Sequence, residues 1–289
     1  LGTIGSSDSN LSIGIESKKV NFIGVGENAV FAANQSFSFI GGLYFENIAF
    51  TAANPGQIGI NVSQADENNI TFGENVRLPS NWKSGDAAIL FSKNGSNNEL
   101  TIEQGNFTRI YTGGYNGDQT GISTKVRING GSVGYLAIAH GWSAAGWNGS
   151  ITWGGNFEYA VKGGKVDNIV LGHDTGGLRT FNGTAVLRVD GGEIGHIYLS
   201  GVNRDRNSTG LRFAEINGGN ISAVSMGETP LNKNFKTVLV LNNGMAQKIA
   251  SLNTANINTV ISAGEGGKVT ARLENNQIIG YEISTSKKY

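Results

Sequence analysis

Two histidines of this 289-residue chain, His140 and His173, each stand nine residues after the second glycine of a Gly-Gly pair, Gly130-Gly131 and Gly163-Gly164. The segments leaving the same point of the chain's repeat carry Tyr115, Asp118, Trp142, Trp147, Asp174, Arg179, Arg204, Asp205 and Arg206. Indole and phenol rings can stack on the faces of sugars, and a forked guanidinium matches a carboxylate or sulfate. A histidine or tyrosine close to an arginine can remove or return a proton in β-elimination from a uronate. His140, His173 and Tyr115 are therefore the candidate catalytic groups. Trp142, Trp147, Asp174, Arg179, Arg204 and Arg206 are the candidate substrate contacts. Glycoside hydrolysis would instead need two carboxyl groups about 5–9.5 Å apart, with Asp118, Asp174 and Asp205 on offer. The competing reading is that the histidines and tryptophans pack loops and the arginines are solvated. Stacking of His140 on His173 requires that the extra unit between the two repeats, Ile151 to Val161, does not offset them.

Other chemistries are excluded more firmly. The chain has no cysteine, so disulfides and thiolate-bound zinc or iron–sulfur clusters are impossible. The three histidines, His140, His173 and His196, lack zincin spacing, no metal site is expected, and calcium has no supporting motif. Lysine plus arginine (22) balance aspartate plus glutamate (22), which leaves no electrostatic case for nucleic acid. No apolar run approaches the roughly 18 residues of a membrane span, so no membrane insertion is expected. Leu1 to Asn10 has no signal-peptide pattern, and we expect a mature or excised piece of a larger or processed protein. Two motifs mislead. Gly24-Val25-Gly26-Glu27-Asn28-Ala29 matches a dinucleotide fingerprint, and Gly130-Gly131-Ser132-Val133-Gly134 matches a hydrolase elbow. Both chemistries need a helix immediately afterwards, and neither segment is followed by a helical pattern.

The elements that must position these residues are repeats. Gln104-Gly105, Gly130-Gly131, Gly163-Gly164, Gly191-Gly192, Gly218-Gly219 and Asn243-Gly244 recur at intervals of 25 to 33 residues. Two residues after the second glycine stand Phe107, Val133, Val166, Ile194, Ile221 and Ala246. Five after it stand Ile110, Leu136, Ile169, Ile197, Val224 and Ile249. Seven after it stand Thr112, Ile138, Leu171, Leu199, Met226 and Ser251. Before the turn the alternation is strict, as in Val126/Ile128, Leu187/Val189 and Leu239/Leu241, with Arg127, Arg188 and Glu215 expected to face outward. Short strands without helical stretches, repeated every 23 to 30 residues or so, predict an all-β, single-domain parallel β-helix, a solenoid whose rungs stack about 4.8 Å apart. Forty-four glycines, about twice the usual share of about 7%, suit its corners, and three prolines suit its ladders. A polar column before the glycine pair, Glu103, Asn129, Lys162, Asp190, Asn217 and Asn242, is expected to form an asparagine ladder with left-handed corners. One domain over 1–289 is expected, with irregular rungs at about 11–98 and regular Gly-Gly rungs at about 99–283.

Val20 to Val30 and the run Gly41-Gly42-Leu43-Tyr44-Phe45-Glu46-Asn47-Ile48-Ala49-Phe50-Thr51 resemble the pectate-lyase-like right-handed parallel β-helix superfamily. The resemblance is architectural and implies a right-handed coil. The superfamily includes lyases, glycosidases, tailspikes and adhesins, so it fixes no activity. Neither the paired aspartates and Gly-His-Gly of polygalacturonases nor the calcium-binding acid cluster of pectate lyases is recognisable. The expectation is an extracellular or cell-surface module, of bacterial origin, whose partner is a polysaccharide. The alternatives are a lyase or hydrolase acting on an acidic glycan, and a structural spacer in a surface protein. Whether the chain is an enzyme and how it oligomerises stay open at this stage.

Overall fold

A computed structural model describes residues 3–5, 10–26, 29–56, 58–79, 87–114, 120–139, 151–173, 179–201, 208–227, 236–275 and 277–285. Nearly all regular elements among them are strands, and almost every strand pairs in parallel with its equivalents one turn before and after. The protein is a parallel β-helix, as the repeat predicts.

One face of the coil runs through Glu67–Phe72, Asn97–Ile102, Ser123–Ile128, Asn156–Val161, Thr184–Val189, Leu211–Ile216, Lys236–Leu241 and Thr259–Ser262. The second runs through Ile58–Val62, Ala87–Phe91, Asn106–Tyr111, Ser132–Ala139, Lys165–His173, Glu193–Tyr198, Asn220–Ser225 and Ser251–Leu252. Asn10–Ile23 and Ser36–Glu46 cross the corner and join the faces into one 18-stranded sheet. Short third-side strands complete some turns, among them Val30–Ala33 with Ala49–Ala52, and Ile151–Trp153 with Arg179–Phe181.

Stacking in register makes columns of the interior residues. On the first face Phe22, Phe45, Phe72, Ile102, Ile128, Val161, Val189, Ile216 and Leu241 follow one another. On the second the column is Leu11, Phe37, Ile60, Ile89, Ile110, Leu136, Ile169, Ile197, Val224 and Leu252. Val133, Val166, Ile194 and Ile221 line the same interior and are buried. Burying one such side chain stabilises by about 1.5–3 kcal/mol, so the columns are the main source of cohesion along the coil. The Phe22, Phe45 and Phe72 rings stack with centroids 5.5 and 5.7 Å apart.

The corners are made by glycine. Gly164 has φ 73°, and a Cβ there would lie 2.7 Å from the backbone of Gly130 and Gly131 in the rung below. Only a residue without a side chain fits that approach. The preceding polar column does form side-chain ladders: Asn129 donates to Glu103 (2.8 Å), Asn217 to Asp190 (2.8 Å) and Asn242 to Asn217 (2.7 Å). These asparagines do not take the left-handed conformation expected of them; the second glycine of the pair does, as at Gly131 and Gly219, and after Asn242 both Asn243 and Gly244 do. A second ladder is inside the coil, where buried Asn68 donates to Asn98 (2.9 Å) and accepts from the Gly41 N–H (3.0 Å).

Three departures from the simple repeat matter. Met245–Lys248 is a helical turn, so Leu252 rather than Ile249 pairs with Val224, and Ser251 pairs with Ala223. In Asn10–Ile23, Ile15 pairs with Gly41 and Lys19 with Gly42, so that Glu16, Ser17 (φ 58°) and Lys18 loop out of the ladder. After Ser262 the chain leaves the parallel coil. Gly267–Glu274 and Gln277–Thr285 form an antiparallel hairpin, and its Val269 and Ala271 pack with the outward residues Val186, Leu211, Phe213, Val238 and Val240 of the first face. That cover explains the burial of Glu215, which faces outward as expected. It is 3% exposed, 3.5 Å from the Arg188 guanidinium and 3.5 Å from the Asn242 amide.

Candidate functional site

Of the residues singled out for chemistry, Tyr115, Asp118, His140, Trp142, Trp147, Asp174, Arg204, Asp205 and Arg206 lie outside the described residues. Arg179 begins a third-side strand, where it pairs with Ile151. His173 ends Lys165–His173 and is 3% exposed, with its imidazole against the Cα of Gly201: a Cβ placed there would be 2.7 Å from Cε1. It belongs to the wall of the coil rather than to a solvent-facing surface. Its partner across the rung is Ala139, not the residue after it. Ala137 pairs with Val170 but Ala139 with His173, so Lys165–His173 gains one residue by a bulge and the equal spacing of the two histidines does not survive as register.

The outward side of the second face brings a different set together. Arg109, Tyr135, Asn168 and His196 form one column and Tyr111, Ala137, Val170, Tyr198 and Ser225 its neighbour. Alternation forces this, since Ile110, Leu136, Ile169 and Ile197 between them face inward. The Arg109 guanidinium lies 5.4 Å from the centroid of the Tyr135 ring and donates to the Tyr111 hydroxyl (3.2 Å). The His196 ring is stacked on Tyr198, centroids 3.8 Å apart and 7° from parallel, and its Nε2 is 2.8 Å from the Ser225 hydroxyl. Burial pushes the His196 imidazole below its ordinary pKa, which favours the neutral ring near pH 7. Arg109, Tyr135, Asn168, His196 and Tyr198 are each partly exposed, whereas Tyr111, Ala137 and Val170 of the neighbouring column are buried, so the accessible surface is the column from Arg109 to His196. With rungs about 4.8 Å apart, the column from Arg109 to His196 spans roughly 14 Å, enough for a few sugar rings in a row. Neither column holds a carboxylate, so paired-acid hydrolysis has no basis within them. The signal that would have found this set was in the sequence. Arg109, Tyr135, Asn168 and His196 all stand four residues after the second glycine, an offset passed over because it is not apolar.

Two clefts lined by described residues lie elsewhere. A groove of about 510 Å³ on the outward first face is lined by Glu67, Asn97, Glu99, Lys125 and Glu158 among others. Another, of about 540 Å³, lies between the hairpin and the corner that leads into the first face. Among the described residues no cluster of histidine and acidic side chains is arranged to hold a metal ion, and no helix is long and apolar enough to cross a membrane.

The motifs set aside earlier meet the ends expected of them. Gly26 (φ 83°) turns the chain, and Val30–Ala33 is a strand rather than a helix. Ser132 opens a strand, its hydroxyl donating to Asn106 in the rung below (2.7 Å). Comparison with known proteins returned no match: no family model, no curated protein and no solved structure is significantly similar to the chain.

Proposed function

We propose that this chain is an extracellular or cell-surface β-helix module, of the pectate-lyase-like kind, that binds a polysaccharide lengthwise along the outward second face. One observation carries the reading: a cation–aromatic pair, Arg109 with Tyr135, and a stacked pair, His196 with Tyr198, stand in register on one face about two rungs apart. Rings held by stacking are rigid platforms for sugar faces, and a planar guanidinium has the geometry to recognise carboxylate or sulfate. A coil flank is extended and repetitive, which suits a chain-like ligand. The absence of a carboxylate from both columns favours binding over hydrolysis.

Electrophoresis through gels containing acidic or neutral polysaccharides tests this directly. Retardation by at least one polysaccharide is expected, and Arg109→Ala combined with Tyr135→Ala should abolish it while thermal unfolding shows a folded protein. Retention unchanged in that folded double variant would overturn the site, and retardation by none of the polysaccharides would leave the spacer reading. Release of unsaturated products absorbing in the ultraviolet would replace binding with lyase activity.

A further inference from the structure

The cleft beside the C-terminal hairpin has a chemistry that neither face shares. It is about 540 Å³, with buried Leu211 and half-buried Ile278 as its apolar part. Its polar lining includes Lys236, Asn182, Asn275 and Gln277, and no aspartate or glutamate is among its lining residues. Asn182 is oriented by its neighbours: its side-chain oxygen accepts from the Thr209 N–H (3.2 Å) and hydroxyl (3.0 Å), which leaves the NH₂ as the uncommitted end. Among the described residues, the side chains of Lys236, Asn275 and Gln277 make no hydrogen bond or ion pair.

Three corner glycines, Gly155, Gly183 and Gly210, line the same cleft. Their carbonyls are used by the N–H groups of Thr184 (2.9 Å), Leu211 (3.3 Å) and Lys236 (2.9 Å), while their own N–H groups donate nothing among the described residues. The cleft is thus lined by an ammonium, by side-chain amides and by glycines whose carbonyls are already occupied. The first-face groove, with Glu67, Glu99 and Glu158, has the opposite character.

We propose that this cleft binds the anionic group, carboxylate or sulfate, of an acidic sugar, with Lys236 as the charge partner, the Asn182 and Gln277 amides as orienting donors, and Leu211 and Ile278 against the ring. The assignment rests on the glycan-binding reading and adds to it the charge class of the ligand and a second point of contact.

Amide NMR titration of the folded chain with four probes tests it: an oligouronate, a sulfated oligosaccharide, a neutral oligosaccharide of the same length, and inorganic sulfate. Expected are shifts of the Gly183 and Gly210 amide resonances with one or both acidic oligosaccharides and none with the neutral one. Lys236→Gln should weaken that binding by about tenfold, the scale of one hydrogen bond to a charged group, with Gln277→Ala weakening it less. Inorganic sulfate shifting the same resonances at the same concentration would reduce the site to a simple anion hole and overturn the proposal. A neutral oligosaccharide acting as well as the acidic ones would overturn it too. Shifts at Tyr135 and His196 with a silent cleft would sink this assignment alone. Shifts in the cleft with a silent second face would support it and sink the flank site instead.

Discussion

The outward column of the first face changes character halfway along the coil. In its early rungs it reads Asn69, Glu99, Lys125, Glu158, and these side chains are exposed or half-exposed. In the next rungs the same column reads Val186, Phe213, Val238, and all are buried. Extended backbone and parallel in-register pairing are alike in the two regions. What differs is the hairpin Gly267–Thr285, which covers only the second. The lesson is that a rung dictates only its inward residues. The outward ones report what lies over them, so a run apolar on both sides of a solenoid strand marks a covered surface.

The sharpest way to break this comparison is Phe213→Ala against Lys125→Ala. Phe213→Ala should cost about 3–5 kcal/mol, as for other buried phenylalanines, and Lys125→Ala within about 0.5 kcal/mol. Equal costs in urea unfolding would mean that the hairpin contributes no real cover. The interior, by contrast, should be indifferent to the hairpin. Ile197→Ala and Ile110→Ala occupy one inward column, both fully buried, and each should cost about 2–5 kcal/mol. A pronounced difference between them would show that cover outside is felt inside.

A smaller effect should appear with pH on the second face. Because burial lowers the His196 pKa, the unfolded chain binds more protons than the folded one below its ordinary value of 6.5. Stability should therefore be complete above that pH and decline as pH falls from there toward the folded pKa. His196→Gln should flatten that part of the profile, and an unchanged slope would show that the ring is freely solvated. The smallest effect is expected at Ser132→Ala, within about 0.5 kcal/mol and without effect on glycan retention, since its hydroxyl only joins an exposed ladder to Asn106.

The interior columns were legible in the sequence because burial repeats with the rung and apolar residues must recur with it. Val133, Val166, Ile194 and Ile221 needed nothing but counting. Counting failed where the rung length changed: the helical turn at Met245–Lys248 displaced Ile249, and one extra residue before His173 broke its match with the preceding rung. Neither change leaves a composition signal, since a bulge and a helical turn both keep the small and apolar residues of the repeat. Glu215 does face outward, and only its burial was not legible. Its cover comes from a hairpin some fifty residues later, and no local pattern connects the two. The Arg109–Tyr135 and His196–Tyr198 pairs were readable as a column in principle, but a column of unlike polar residues has no periodic property to betray it.

The looped-out residues Glu16, Ser17 and Lys18 bear on how the molecule behaves in a crowd. Among the described residues Asn10–Ile23 is paired on one side only, with Ser36–Glu46. A straight edge of that length would be a template for the last rung of another molecule, and head-to-tail contacts of that kind grow into filaments rather than closed oligomers. A left-handed serine flanked by exposed Glu16, Lys18 and Lys19 interrupts the template midway and places charge on it. Deleting Glu16, Ser17 and Lys18 should leave the interior columns intact and yet produce species that lengthen with concentration in sedimentation velocity. The irregularity in Asn10–Ile23 thus interrupts, on this edge, the same register that stacks rung on rung within the coil.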